Sequence, residues 1–179
     1  MGCEIVVCFL RSGTEILLVR RDGAEAVGDT DSAPGRWDGV SVPLDGEPDE
    51  TARRAIERFV SAPASVSLVE RGAPIAPSNA GSRSKRRLYP YLFECSNREV
   101  DPDVGAEREC EWRQPPALLD REAVPGVWKA YLAVAPSVRT VREDAEHGAA
   151  YVSLRALEAL RDRAATVAVE GGNYREVEA

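Results

Sequence analysis

Lysine is nearly missing from this 179-residue chain: Lys85 and Lys129 stand against twenty-one arginines, and the formal net charge is −7. An acidic excess of that size argues against a protein that coats nucleic acid. Carboxylates with almost no lysine point to a salt-loving archaeon; a GC-rich genome, which also favours Arg, Ala, Gly and Val, is the alternative. Histidine occurs once, at 147, with no serine or cysteine motif beside it, so His147 reads as a turn or packing residue. Cys3, Cys8, Cys95 and Cys110 include no C-x2-C pair. A tetrahedral zinc site therefore lacks its usual spacing, and the thiols read as reduced, three of them inside apolar strand-like runs. Long apolar runs are missing too. Ile5 to Leu10 is too short to span a bilayer, and Glu4 interrupts any signal-peptide start. Val6 stands where a myristoylation motif asks for Ser or Thr. A cytoplasmic protein is expected.

What is present is a globular pattern, 44% hydrophobic and 30% charged. A chain this long can bury about 70% of its unfolded surface. Cys3–Leu10 is rich in β-branched residues and reads as a strand buried on both faces. Turn residues follow, and Glu15–Arg20 completes a hairpin. Trp37–Val42 makes a third strand. The chain is then organised around one helix opening at Pro48, where a missing N–H costs nothing. Asp49 and Glu50 lie in its first turn, where the helix dipole favours negative charge. Ala52, Ala55, Ile56, Phe59 and Val60 recur on one face, with Glu50/Arg54 and Arg53/Glu57 as pairs four residues apart, before Pro63 ends the helix. Strands follow at 65–71, 88–95 and 109–113, with a turn-rich connection over 96–108 and a helix over 115–122.

The stretch from Trp37 to Ala62, WDGVSVPLDGEPDETARRAIERFVSA, resembles the Nudix box, G-x5-E-x7-R-E-U-x-E-E-x-G-U with U aliphatic. That resemblance implies an α+β fold, an α-β-α sandwich with a mixed sheet and a central box helix. It also implies glutamates that hold a divalent metal against a nucleotide pyrophosphate. Glu47 takes the upstream glutamate, Arg54 the arginine and Ile56 the aliphatic position. The box is degenerate, however. Six residues separate Glu47 from Arg54 instead of seven, and the three helix glutamates become Ala55, Arg58 and Phe59. Carboxylates at i, i+3 and i+4 can share a cation such as Mg²⁺. A methyl, a guanidinium and a phenyl ring cannot. The resemblance thus implies the fold while the residues argue against its chemistry.

No cofactor is expected on that reading. Mg²⁺ enters only for an active hydrolase, with Asp45, Glu47, Asp49 and Glu50 as metal candidates and Glu47 the one retained box carboxylate. Cations supply the other candidates. Arg20 and Arg21 end the second strand, where Nudix proteins carry a basic strand end toward substrate. Trp37, Arg54 and Arg58 join them as ligand-binding candidates. Arg83, Lys85, Arg86 and Arg87 pack four cations into five residues, suited to phosphate by charge and bidentate contact.

The Nudix-like part spans 1–134. A helical appendage spans 135–179, with apolar stripes at Val138/Val141/Ala145 and Leu154/Leu157/Leu160/Ala164 broken at His147-Gly148. Residues 137–170 resemble the start of initiation factor 2B regulatory subunit-like and sugar-phosphate isomerase proteins of haloarchaea, which implies a second domain cut short. Three functions compete. The first is a module that binds a small phosphorylated ligand such as a nucleotide and has lost hydrolysis. The second is a working hydrolase of nucleoside diphosphate-linked compounds. The third is an interaction module that forms a homodimer through residues 137–167.

Overall fold

The computed structural model describes residues 3–21, 35–76 and 86–171. The chain divides after Val134 into two compact units.

The first unit is built on a mixed sheet of seven strands. They are β1 (Cys3–Ser12), β2 (Glu15–Arg20), β3 (Trp37–Asp38), β4 (Val40–Pro43), β5 (Val66–Arg71), β6 (Arg86–Cys95) and β7 (Cys110–Arg113). The main order is β3-β2-β1-β6-β5, with β4 on β1 and β7 on β2. β1 runs parallel to β6, with Cys3 opposite Arg86 and Arg11 opposite Glu94. Its antiparallel neighbour changes along its length: β2 pairs at Arg11 and Ser12, and β4 pairs from Ile5 to Cys8.

That exchange is made at Gly39. The expected single strand over 37–42 is two strands, because a Cβ at Gly39 would lie 2.8 Å from the Cys8 carbonyl oxygen and 3.2 Å from the Phe9 ring. Only glycine lets the chain pass from β2's flank to β1's at so close an approach.

Helix α1 (Pro48–Phe59) covers one face of the sheet. Ala52, Ala55, Ile56 and Phe59 pack with Val6, Cys8, Leu10, Leu17, Val19 and Val40. Full burial of one such aliphatic or aromatic side chain is worth about 1.5–3 kcal/mol. The Cys8 thiol is buried here, lies 3.8 Å from the Ala52 carbonyl, and has its pKa pushed well up by burial. On the opposite face, Phe9 meets Tyr131 edge-on at 5.4 Å. Tyr131 belongs to α4 (Val127–Leu132), so helices flank the sheet on both sides. Between them lie α2 (Pro102–Glu107) and the single turn α3 (Ala117–Asp120), shorter than the helix expected over 115–122. The sequence reading passed over α2, although Asp101 caps it through Asp103 N and Pro102 opens it.

The second unit holds α5 (Val138–Glu143) and α6 (Ala149–Glu170). Ser137 and Thr140 form a reciprocal capping box on α5. Between the helices, Asp144 Oδ1 accepts from the backbone N–H groups of Glu146 and His147, and His147 Nδ1 lies 3.0 Å from Asp144 Oδ2. The His147 ring stacks on Tyr151 at 4.1 Å. The lone histidine thus builds a turn. Gly171, at φ 72°, closes α6 in the left-handed conformation glycine adopts freely.

Residues of both apolar stripes stand exposed in the single chain. Val138 is 72% exposed, Leu157 64% and Leu160 52%. The covered stripe of α6 is charged instead: Arg155, Glu158 and Asp162 are buried, with Arg155 Nη1 2.7 Å from Glu158 Oε2. Among the described residues, no helix is long and apolar enough to cross a membrane.

Candidate functional site

The loop entering α1 is fixed by Thr51. Its hydroxyl donates to the Asp45 carbonyl at 2.7 Å and lies 3.3 Å from the Asp45 N–H. Arg54 reaches back to the same residue, donating to the Asp45 carbonyl at 2.8 Å and lying 3.5 Å from its carboxylate. The expected Glu50/Arg54 pair is therefore replaced by Asp45–Arg54. Thr51 went unremarked in the sequence, although a hydroxyl in a first turn is a common anchor for a helix-entry loop.

Beside the first turn of α1 opens a cleft of about 780 Å³, lined by Glu47, Asp49, Glu50 and Arg53 from the helix and Arg71, Tyr89 and Tyr91 from β5 and β6. Asp49 is its centre. The Tyr91 hydroxyl donates to Asp49 Oδ1 at 2.7 Å, and Arg71 Nη1 lies 2.6 Å from Asp49 Oδ2. Desolvation, reinforced by the Asp49 carboxylate, pushes the Tyr91 phenol well above its usual range. At the rim, Tyr89 donates to Glu4 Oε1 at 2.8 Å, and Arg87 lies 3.9 Å from the same carboxylate. Neither β5 nor Tyr89 and Tyr91 figured in the sequence reading of the site. No local motif announces them, because they meet α1 only through the sheet.

The three positions that replace the box glutamates differ in burial, because their shared face straddles the edge of the core. Ala55 and Phe59 are each 6% exposed and sit inside the core, whereas Arg58 is on the surface. Of the alternative metal candidates, Glu47, Asp49 and Glu50 border the cleft and Asp45 does not. Asp49 already meets Arg71, and Asp45 meets Arg54. Among the described residues there is no group of three or more His, Cys, Asp or Glu placed to hold a metal ion. These donors do not fit Mg²⁺, which demands near-octahedral oxygen ligation.

The expected cationic site is also redistributed. Arg20 Nη1 lies 2.7 Å from Glu109 Oε2, and its Nε donates to the Gly35 carbonyl. Arg21 makes two contacts with Asp38 Oδ2, at 2.9 and 2.6 Å, and Asp38 is 2% exposed. The Trp37 ring is buried beneath the Arg121 guanidinium, which sits 4.6 Å from its centroid. Arg20, Arg21 and Trp37 thus come together at paired strand ends, but as a network of internal partners, and Arg54 and Arg58 do not border the same cleft as Asp49. Arg86 opens β6 half-buried, and Arg83 and Lys85 lie outside the described residues.

The fold recurs in solved structures. The fold is that of the Nudix hydrolases. The NUDIX domain of Shewanella oneidensis NrtR, solved with ADP ribose, superposes with a TM-score of 0.52 at 13% identity, over 72% of this chain and 83% of that one. A MutT NUDIX hydrolase from Burkholderia pseudomallei gives 0.50 at 18% identity, over 75% of this chain and 99% of that one. A NUDIX hydrolase from Nitrosomonas europaea gives 0.50 at 10% identity, over 74% and 88%. No protein-family model matches the chain, and no curated protein matches it. At these identities the Nudix likeness is one of fold.

Proposed function

We propose that this Nudix-fold chain binds a small phosphorylated ligand, such as a nucleotide, without metal-dependent pyrophosphate hydrolysis. The observation that carries the reading is the burial of Ala55 and Phe59: two of the three box-glutamate positions belong to the core. With Asp49 held by Tyr91 and Arg71, too few carboxylates remain to dehydrate Mg²⁺ and lower the pKa of a bound water. The cleft beside Asp49 supplies the volume, and Arg53 and Arg71 the cationic groups that attract phosphate. The ADP ribose bound to the NrtR domain belongs to that protein, and it makes nucleotide diphosphate compounds the first ligands to try. On the same reading, residues 135–179 are a separate helical appendage.

The test has two arms. Calorimetry with ADP ribose and nucleoside mono- and diphosphates in EDTA is expected to show binding that Arg71→Ala weakens. Phosphate-release assays with Mg²⁺ or Mn²⁺ are expected to show no metal-dependent turnover. Turnover near 1 s⁻¹, about the low end of ordinary enzyme rates, would sink the reading in favour of a hydrolase using Glu47 and its neighbours.

A further inference from the structure

Arg71 reaches the cleft from the end of β5, the edge strand, and the group it meets there is an acid of the chain itself. Its Nη1 lies 2.6 Å from Asp49 Oδ2, and both side chains are about half exposed, at 59% and 45%. The other carboxylate oxygen, Oδ1, accepts from the Tyr91 hydroxyl at 2.7 Å, and Tyr91 is 5% exposed. Arg71 and Tyr91 are also cross-strand partners, so both side chains approach Asp49 from the same face of the sheet. Asp49 is thus anchored from the core, whereas the Arg71 side chain makes this one ion pair among the described residues and can leave it. We propose that Asp49 is an internal competitor for the cleft: its carboxylate takes the place of a ligand's anionic group on Arg71, and a diphosphate binds by displacing it.

The proposal rests on the phosphorylated-ligand reading and adds what limits the affinity of that site. A guanidinium meets carboxylate and phosphate with the same N–H groups, so the donors that Asp49 occupies are withdrawn from a ligand. The pair is of a kind that yields. Solvent screens it, and holding a long arginine side chain in one geometry costs entropy. A diphosphate brings two negative charges and more acceptor oxygens than one carboxylate. Arg53, on the helix wall of the same cleft, is exposed and without an ion pair among the described residues, so it can share them. Asp49 cannot follow Arg71 to the ligand, because Tyr91 keeps it in place. It therefore weakens binding twice, by occupying Arg71 and by standing as like charge beside the bound phosphate. Glu50 borders the cleft too but has no ion pair with Arg71, which makes it the control.

Calorimetry of the full chain with ADP ribose in EDTA separates these effects. Asp49→Asn keeps an acceptor for Tyr91 and takes the charge away from Arg71, and it is expected to tighten binding by about 5- to 10-fold. Glu50→Gln removes one cleft charge without releasing Arg71 and is expected to change binding by less than about 2-fold. In an Arg71→Ala background, Asp49→Asn is expected to lose most of its gain, the non-additivity of two residues that act as a pair. A parent chain that binds and an Asp49→Asn chain that binds no tighter overturn the proposal while the ligand-binding reading stands. Equal gains from Asp49→Asn and Glu50→Gln, or a gain that persists without Arg71, overturn it as well, because charge alone then explains the effect. Binding by neither the parent nor the Asp49→Asn chain overturns both.

Discussion

Tyr91, in the middle of β6, donates its phenolic hydrogen to Asp49 in the first turn of α1, across 2.7 Å. One hydrogen bond thus joins the central sheet to the helix entry that borders the cleft. Removing it with Tyr91→Phe is expected to cost about 1–2 kcal/mol, the range for a hydrogen bond to a charged acceptor that keeps some contact with solvent. The pH dependence has a definite sign. Burial and Asp49 raise the Tyr91 pKa above its ordinary value, so its contribution is complete below about pH 10 and is lost as pH rises through the folded value. Urea unfolding at about pH 9 and 11 should show a steeper alkaline loss for the parent chain than for Tyr91→Phe. Equal slopes would remove Tyr91 as the responsible group.

Arg20 and Arg21 are neighbours with unequal roles. Arg21→Ala leaves the Asp38 carboxylate buried without its guanidinium, which costs about 3–5 kcal/mol for a broken buried pair. Arg20 is half exposed in its pair with Glu109, and Arg20→Ala is expected to cost much less, because solvent screens an exposed pair. Thermal or chemical unfolding of the two variants checks the order. Comparable losses would contradict it.

Rebuilding the box is expected to fail at one position and be tolerated at another. Phe59→Glu forces a carboxylate into the core, removes the ring's apolar contacts even with the Arg108 guanidinium 5.5 Å from the ring centre, and should destabilise by about 3 kcal/mol, enough to unfold a marginal domain. Arg58→Glu changes an exposed residue and should stay within about 0.5 kcal/mol. The readout is the denaturant midpoint of each variant. A stable Phe59→Glu chain that gains Mg²⁺ binding would show that the position faces solvent after all.

The turn before α6 carries an acid-side dependence. The backbone N–H of His147, ahead of the other contacts, holds the Asp144 carboxyl below its ordinary value. A depressed folded pKa contributes stability that is present above about pH 4 and is lost as pH falls through the folded value. Asp144→Ala should flatten that acid limb and loosen the first turn of α6, seen as faster amide exchange from residue 149 onward.

Much of this was legible in local pattern. Helix α1 was announced by its proline, its first-turn acids and its 3.6-residue apolar period, and β2 by an apolar run between a turn and a basic exit. The break at Gly39 was not, because a glycine inside a strand signals close approach without saying to what; the Cys8 carbonyl is known only from three dimensions. The cleft was half legible. Asp49 and Glu50 stood out as first-turn acids, but Tyr91 and Arg71 reach them only through pairing of strands far apart in sequence. In the tail, periodicity marked Leu157 and Leu160 as one face, which is exposed in the single chain; the burial of Arg155, Glu158 and Asp162 on α6 had no local signal, because no apolar period announces a covered charge.

The parallel pairing of β1 with β6 also sets the order of events as the chain leaves the ribosome. Strand β1 finds its long partner only when Cys3 can reach Arg86 and Arg11 can reach Glu94, after about eighty further residues have been made. At ordinary elongation speeds that interval is roughly 4–16 seconds. Before then the six apolar positions in a row, Ile5 to Leu10, can be covered only by elements made earlier, β4 along Ile5 to Cys8 and α1 over Val6, Cys8 and Leu10. Closure of so long a loop is slow by topology, which makes the β1–β6 pairing a late step in assembling this sheet.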